Sequence, residues 1–249
     1  MINTQLITRK AHRWLGLLIG IQLLLWSLSG LYFAVVPSSE VAGAHNKAEH
    51  EPVNFAFTPL VSPQQVISAL VVDQGPSVQV RGVSLQRLQQ RNVFQVHYDV
   101  GGESHIQLAD ASSGELLAGV DERQALAIAE ADFTGAGRAV GARYLAALEP
   151  GHEYRWGELP VWQISFDDPE NTRVYVAART GVVITHRNDT WRVFDFFWML
   201  HIMDFSARTD FHTLLLQVAS VLSLVTIVSG FILWFMTTSL FKRRIGAEK

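Results

Sequence analysis

The sequence predicts an α+β membrane protein in which two transmembrane helices bracket a periplasmic domain of two tandem α+β units. Three observations predict it. No Asp, Glu, Lys, Arg or His lies between Arg13 and Glu40, and none between His212 and Lys242. Each gap exceeds the roughly 20 apolar residues that a bilayer crossing needs. Charged residues make up only 17% of the 249, against about 25% in ordinary soluble domains, and the stretch between the two gaps repeats itself.

The first span is placed at 14–36, after a basic N-terminal segment 1–13. Its 23 residues rise roughly 35 Å as a helix, enough to cross with some tilt. A cleaved signal peptide has a shorter apolar core of roughly 7–15 residues and a small-residue cleavage site. Ala34-Val35-Val36-Pro37 is a poor one, so this span is expected to be retained as an anchor. A polar linker, 37–59, follows. The second span is placed at 211–240, with a basic C-terminal segment 241–249 behind it.

The repeat fills the middle. VFQVHYDV at 93–100 aligns with VWQISFDD at 161–168, an offset of 68, and downstream Gly114 answers Gly181 at an offset of 67. Upstream, SPQQVISAL and DERQALAIA each place an N-cap residue before a helical apolar pattern. Each unit, 60–120 and 121–188, is expected to run helix, strand, turn, strand. A juxtamembrane aromatic helix is expected over 189–210. Continued at 100° per residue from Trp191, it gathers Phe194, Trp198, His201, Phe205 and His212 within about 80° of arc.

Charge sets orientation. Arg9, Lys10 and Arg13 precede the first span, and Lys242, Arg243, Arg244 and Lys249 follow the second. The segment between holds 13 basic and 22 acidic residues, 13 − 22 = −9. Basic flanks stay on the cytoplasmic side, so both termini are expected inside and the middle domain in the periplasm of a bacterial inner-membrane protein. The absence of cysteine fits an oxidising compartment. A net charge of −3 without a long basic stretch speaks against nucleic acid as a partner. No nucleotide-binding glycine fingerprint, nucleophile elbow or HExxH is present.

His12-Arg13-Trp14-Leu15-Gly16, Ser29-Gly30 late in the first span, Asp110-x-x-Ser113-Gly114 and Ala177-x-x-Thr180-Gly181 closing the two units, and Trp198-x-x-His201 before the last span belong together. With them the chain resembles the PepSY-associated transmembrane family over nearly its whole length. The resemblance implies PepSY-like α+β units. Larger relatives with four spans are linked to haem binding and ferric-siderophore reduction, and shorter ones to stimulating ferrous iron uptake. It therefore implies a haem-b-dependent ferric reductase with iron as substrate.

Of the nine histidines, His12, His201 and His212 lie nearest the membrane and are the candidate haem ligands. Eleven residues of straight helix would hold His201 and His212 roughly 16 Å apart, too far for one iron. Either the chain bends near Ser206 or each pairs with a histidine from elsewhere. His45, Glu49 and His50 in the linker form a candidate iron-holding set. His97, His105, His152 and His186 read as strand or surface residues.

Segments 1–13 and 241–249 are too short for a flavin or nicotinamide domain, so electrons are expected from membrane quinol or a separate donor. Besides lipid, the expected partners are a second copy of the chain, to complete a four-helix bundle, and a ferrous iron importer. A different class of function stays open: a membrane-anchored module that binds a peptidase or another partner protein without redox chemistry. Reporter enzymes that act only outside the cytoplasm should be active when fused near Gly102 or Gly135. They should be silent at either terminus, and the reverse pattern overturns the orientation.

Overall fold

In a computed structural model, which describes residues 4–49, 55 and 58–238, two compact units emerge. One comprises 38–192 and is α+β; the other comprises 1–37 and 193–249 and is helical.

The α+β unit begins with a single turn α2 (Ser38–Val41), preceded in the chain by α1 (Thr4–Val35), and a 3-10 turn (Ala44–Asn46). The linker is then tied down. Lys47 forms a β-bridge with Phe133, and the Ala48 amide donates to the Asp132 carbonyl at 2.7 Å. Helix α3 (Pro63–Gln74) follows, then strands β1 (Gln79–Leu88), β2 (Arg91–Val100), β3 (Glu103–Asp110) and β4 (Leu116–Leu117), paired antiparallel in chain order. The second half copies this plan. Helix α4 (Glu122–Asp132) precedes a sheet of β5 (Ala139–Leu145), β6 (Val161–Phe166), β7 (Arg173–Ala177) and β8 (Val183–Arg187), again in chain order.

Each helix starts where its cap residue stands. Ser62 accepts from the Gln65 amide with Pro63 in the first turn, and Asp121 and Gln124 form a reciprocal capping box at 2.8 and 2.9 Å. Each then buries one apolar face on its own sheet. Val66 and Leu70 meet Phe94, Val96 and Ala109 in the first half, and Ala125, Ile128 and Ala129 meet Ile164, Val174 and Val176 in the second. Full burial of the valine, leucine, isoleucine and phenylalanine side chains among them is worth about 1.5–3 kcal/mol each. Gly114 and Gly181 take φ of 82° and 68° in equivalent turns, a conformation that favours glycine.

Each sheet has four strands where the sequence pattern suggests two, the extra ones being β1 and β4 in the first half and β5 and β8 in the second. Of these edge strands, β1 and β5 each carry a bulge, after Val80 at Gly82 and after Ala139 at Gly141. An extra residue flips the faces on either side of it, which erases the period-two alternation that marks a strand. His186, expected at the surface, is 2% exposed and bonds Asp132 at 2.7 Å, joining β8 to the end of α4.

The helical unit holds α1 and α6 (Leu214–Thr237), which pack along each other through Ile19, Ala219, Ser223 and Thr226. Both are long and apolar enough to span a membrane, over His12–Val35 and Leu214–Thr237. Their outward leucines, valines and phenylalanines, such as Leu18, Ile21 and Phe231, are exposed as lipid-facing residues must be. Helix α5 (Asp189–Ile202) ends eight residues short of the expected 210. Met203 at φ 53° turns the chain, and Asp204 then organises the next six residues. One of its oxygens accepts from the Ser206 and Ala207 amides and the Ser206 hydroxyl, and the other from the Thr209 and Asp210 amides. His212 therefore sits in a loop and not on the helical face of His201. Residues 239–249, which carry the expected basic tail, lie outside the described residues.

Burial alone would raise the Asp204 pKa, but the backbone amide hydrogen bonds prevail and bring it down from 3.8 to about 2. A depressed pKa means stability present above about 3.8 and lost as pH falls towards 2. Replacing Asp204 by Ala should orphan four amides and cost about 2–3 kcal/mol. Denaturation of the wild type and D204A at pH 7 and pH 2 should show a gap that narrows at the lower pH.

Candidate functional site

Two histidines in the helical unit share one arrangement. His12, in α1, places Nδ1 2.8 Å from the Ser229 hydroxyl of α6. Its ring lies against Gly230, where a Cβ would come within 3.1 Å of the imidazole Cε1, so glycine makes room for the ring. His201, in α5, places Nδ1 2.7 Å from the Ser29 hydroxyl of α1. Each histidine thus meets a serine late in a spanning helix.

The proton count assigns the tautomers. A serine hydroxyl has one proton. Ser29 spends it on its own helix, donating to the Leu25 carbonyl at 2.8 Å with Trp26 as a longer second acceptor. Ser229 does the same to the Thr226 carbonyl at 2.8 Å. Each oxygen is left to accept, so each imidazole donates from Nδ1. The neutral ring then carries a lone pair on Nε2, which has no hydrogen-bond partner among the described residues for either histidine. Burial pushes the His201 pKa below the usual imidazole range, which favours this neutral form.

The neighbourhood of His201 is built to hold it. The last carbonyls of a helix lack partners within it. Here the Trp26 indole N–H donates to the His201 carbonyl at 2.8 Å, and the Gln22 amide donates to the Leu200 carbonyl at 3.3 Å. Phe33 stands edge-on to the imidazole at 5.5 Å, with Phe194 and Trp198 behind it. Trp198 is anchored by donating to the Arg208 carbonyl at 3.1 Å, and Arg208 pairs with the buried Asp195.

Along α1, His12 and Ser29 are 17 residues apart, a rise of about 26 Å. The two imidazoles therefore stand at opposite ends of the first span, and one iron cannot take both. His212 is exposed and, among the described residues, only its backbone forms hydrogen bonds, with Asp210 and Gln217. Of the linker set, His45 pairs with Glu170 at 3.1 Å, Glu49 is exposed, and His50 lies outside the described residues. Among the described residues no group of three or more His, Asp or Glu gathers for a metal.

Sequence reasoning missed Ser229 and the part played by Ser29. The available signal was the Ser-Gly pair recurring late in both apolar runs, at 29–30 and 229–230.

The model of the family described as the PepSY-associated TM region matches residues 9–248. The chain belongs to the PepSY-associated transmembrane family. Its match takes in both apolar helices and both α+β halves, and the apolar helices make this PepSY-associated chain a membrane protein. Among curated proteins and among solved structures, none matches it.

Removing the acceptor should release the tautomer. In the cofactor-free protein, ¹⁵N imidazole shifts should report Nε2 of His201 and His12 as unprotonated. S29A and S229A should each shift their own histidine towards a tautomer mixture, at about 1 kcal/mol in stability. Unchanged ¹⁵N shifts in both variants overturn the assignment.

Proposed function

We propose that this chain is a haem-b-dependent ferric reductase of the bacterial inner membrane, working as a homodimer and supplying Fe²⁺ to a separate importer. The observation that supports it is the pair of serine-held imidazoles with free Nε2 lone pairs at the two ends of one span. A metal-ligating histidine needs this: a neutral ring, a free nitrogen, and a hydrogen bond at the other nitrogen that fixes its orientation. The apolar, aromatic surroundings of His201 suit a flat hydrophobic macrocycle.

Haem b bound at such nitrogens supplies reversible one-electron chemistry. His12 and His201 would each hold the group through Nε2, and the same residues of a second copy would complete the set. Two spans cannot surround a macrocycle, and Gly16, Gly20 and Gly30 have open space where a side chain would stand, which leaves that helix face free for close approach. Membrane quinol, or a separate donor, supplies the electrons. One quinol gives up two electrons and two protons, enough to reduce two Fe³⁺ to Fe²⁺ at the face of the α+β unit. Ser29 and Ser229 hold the protons on the Nδ1 atoms, so the tautomer presents Nε2 as the ligand nitrogen.

The test is the haem-to-protein ratio with the reduced-minus-oxidised spectrum. H201A and H12A should each lose haem, with separate spectral changes if two centres exist, and ferric reduction in cells should fall with them. H212A and H97A should keep the wild-type spectrum. Colourless protein from haem-replete cells, or full haem and activity in both H12A and H201A, rejects the proposal.

A further inference from the structure

A polar concavity lies in the α+β unit, on the seam between its two halves. It has a volume of about 250 Å³ and is lined by Tyr98, His105, Gln107, Leu117, Gly119 and Arg179, among others. Arg179 comes from the β7–β8 turn of the second half, and the other five from the first half and the segment leaving it. The seam is tight. The Val120 amide donates to the Ala178 carbonyl at 2.8 Å, and a Cβ on Gly119, at φ 95°, would come within 2.5 Å of that carbonyl oxygen. The turn bearing Arg179 is thereby fixed against the first half.

Three donors point to the chemistry of a ligand. The Arg179 guanidinium has no acidic partner among the described residues, although the segment between the spans carries a net charge of −9. Tyr98 and His105 are cross-strand partners whose rings stack at 5.4 Å. Neither the phenol nor the imidazole has a hydrogen-bond partner among the described residues. Burial, together with the Asp73 carboxylate, pushes the Tyr98 pKa up against the opposing charge of Arg179, so the phenol keeps its proton and remains a donor. Gln107 is already engaged: its side-chain amide donates to the Leu117 and Leu108 carbonyls at 2.6 and 2.9 Å and closes one side of the concavity.

We propose that Arg179, Tyr98 and His105 form a carboxylate-binding site in which the guanidinium fork takes the two oxygens and the phenol and imidazole complete the donor set. The fork of an arginine matches a planar carboxylate with two parallel hydrogen bonds. The surrounding acidic charge favours a carboxylate over a phosphate dianion. The carboxylate belongs either to a small organic acid or to the C-terminus of a peptide. This inference stands apart from the haem reading, because none of its residues lies in the helical unit.

The full chain in lipid nanodiscs is titrated calorimetrically with citrate, with a short peptide ending in a free carboxylate, with the same peptide amidated, and with inorganic phosphate. Binding of citrate identifies the small acid, and binding of the free peptide but not its amide identifies the peptide terminus. In either case R179Q should weaken binding about tenfold or more, since a hydrogen bond to a charged group is lost. Arg179 is exposed and unpaired, so this variant should fold. Y98F should weaken it by less, and R179K should fall between. Absence of binding by both carboxylates, binding of phosphate alone, or equal binding by wild type and R179Q overturns the proposal.

Discussion

A hydrocarbon interior offers no water to satisfy a stray proton or lone pair, and that constraint shows in how most hydroxyls of the two spans are used, the buried Ser223 standing apart with no partner among the described residues. Ser29, Thr226, Ser229 and Thr237 all turn their hydroxyl protons back onto carbonyls of their own helices. A hydroxyl committed in this way becomes a pure acceptor. Two of the four then face an imidazole, and the direction of every proton in the contact follows. Backbone geometry thus reaches, through one serine, to the nitrogen most distant from it.

The α+β unit shows what a duplicated fold preserves and what it relaxes. Caps and bulges keep one spacing: Ser62 to Asp121 and Gly82 to Gly141 are both offset by 59 residues. Beyond the first hairpin the offset between β2 and β6 is 68, so 68 − 59 = 9 residues of net growth lie between them. They enter the β5–β6 connection, where 146–160 replaces the two-residue turn at 89–90. The addition carries its own anchors. Tyr154 is fully buried and stacks on Tyr175 at 4.9 Å. Glu153 accepts from Arg173, Tyr175 and Arg192 at 2.6–3.0 Å, and these donors hold its carboxyl below the usual range although burial alone would raise it.

Much of this was legible in the sequence, and the gaps have physical causes. Long charge-free runs announce spans because lipid tolerates nothing else, and Gly114 and Gly181 announce equivalent turns because left-handed backbone favours glycine. Strands β1 and β5 stayed hidden because a bulge breaks alternation at Gly82 and Gly141. His186 looked like a surface residue because its partner Asp132 is 54 positions away, and only the fold brings them together. The joint grouping of His201 with His212 assumed continuous helix. Asp204, an ordinary acidic residue in the sequence, draws the loop around itself and separates them. Ser229 escaped notice because nothing in a local pattern links position 229 to position 12.

Trp191 and its neighbours show how the chain leaves the α+β unit. Asn188 caps α5 by accepting from the Trp191 amide at 2.8 Å, and the Trp191 indole carries Arg187 over its ring at 4.4 Å and Arg155 at 5.3 Å. The first turn of α5 is therefore pinned within the α+β unit, by a side-chain cap and by an aromatic face that two cations cover. A leucine in place of Trp191 would keep that turn apolar and its cap intact, yet neither arginine would have a π face to lie on. The loss would fall on how the turn is seated and not on whether the helix forms.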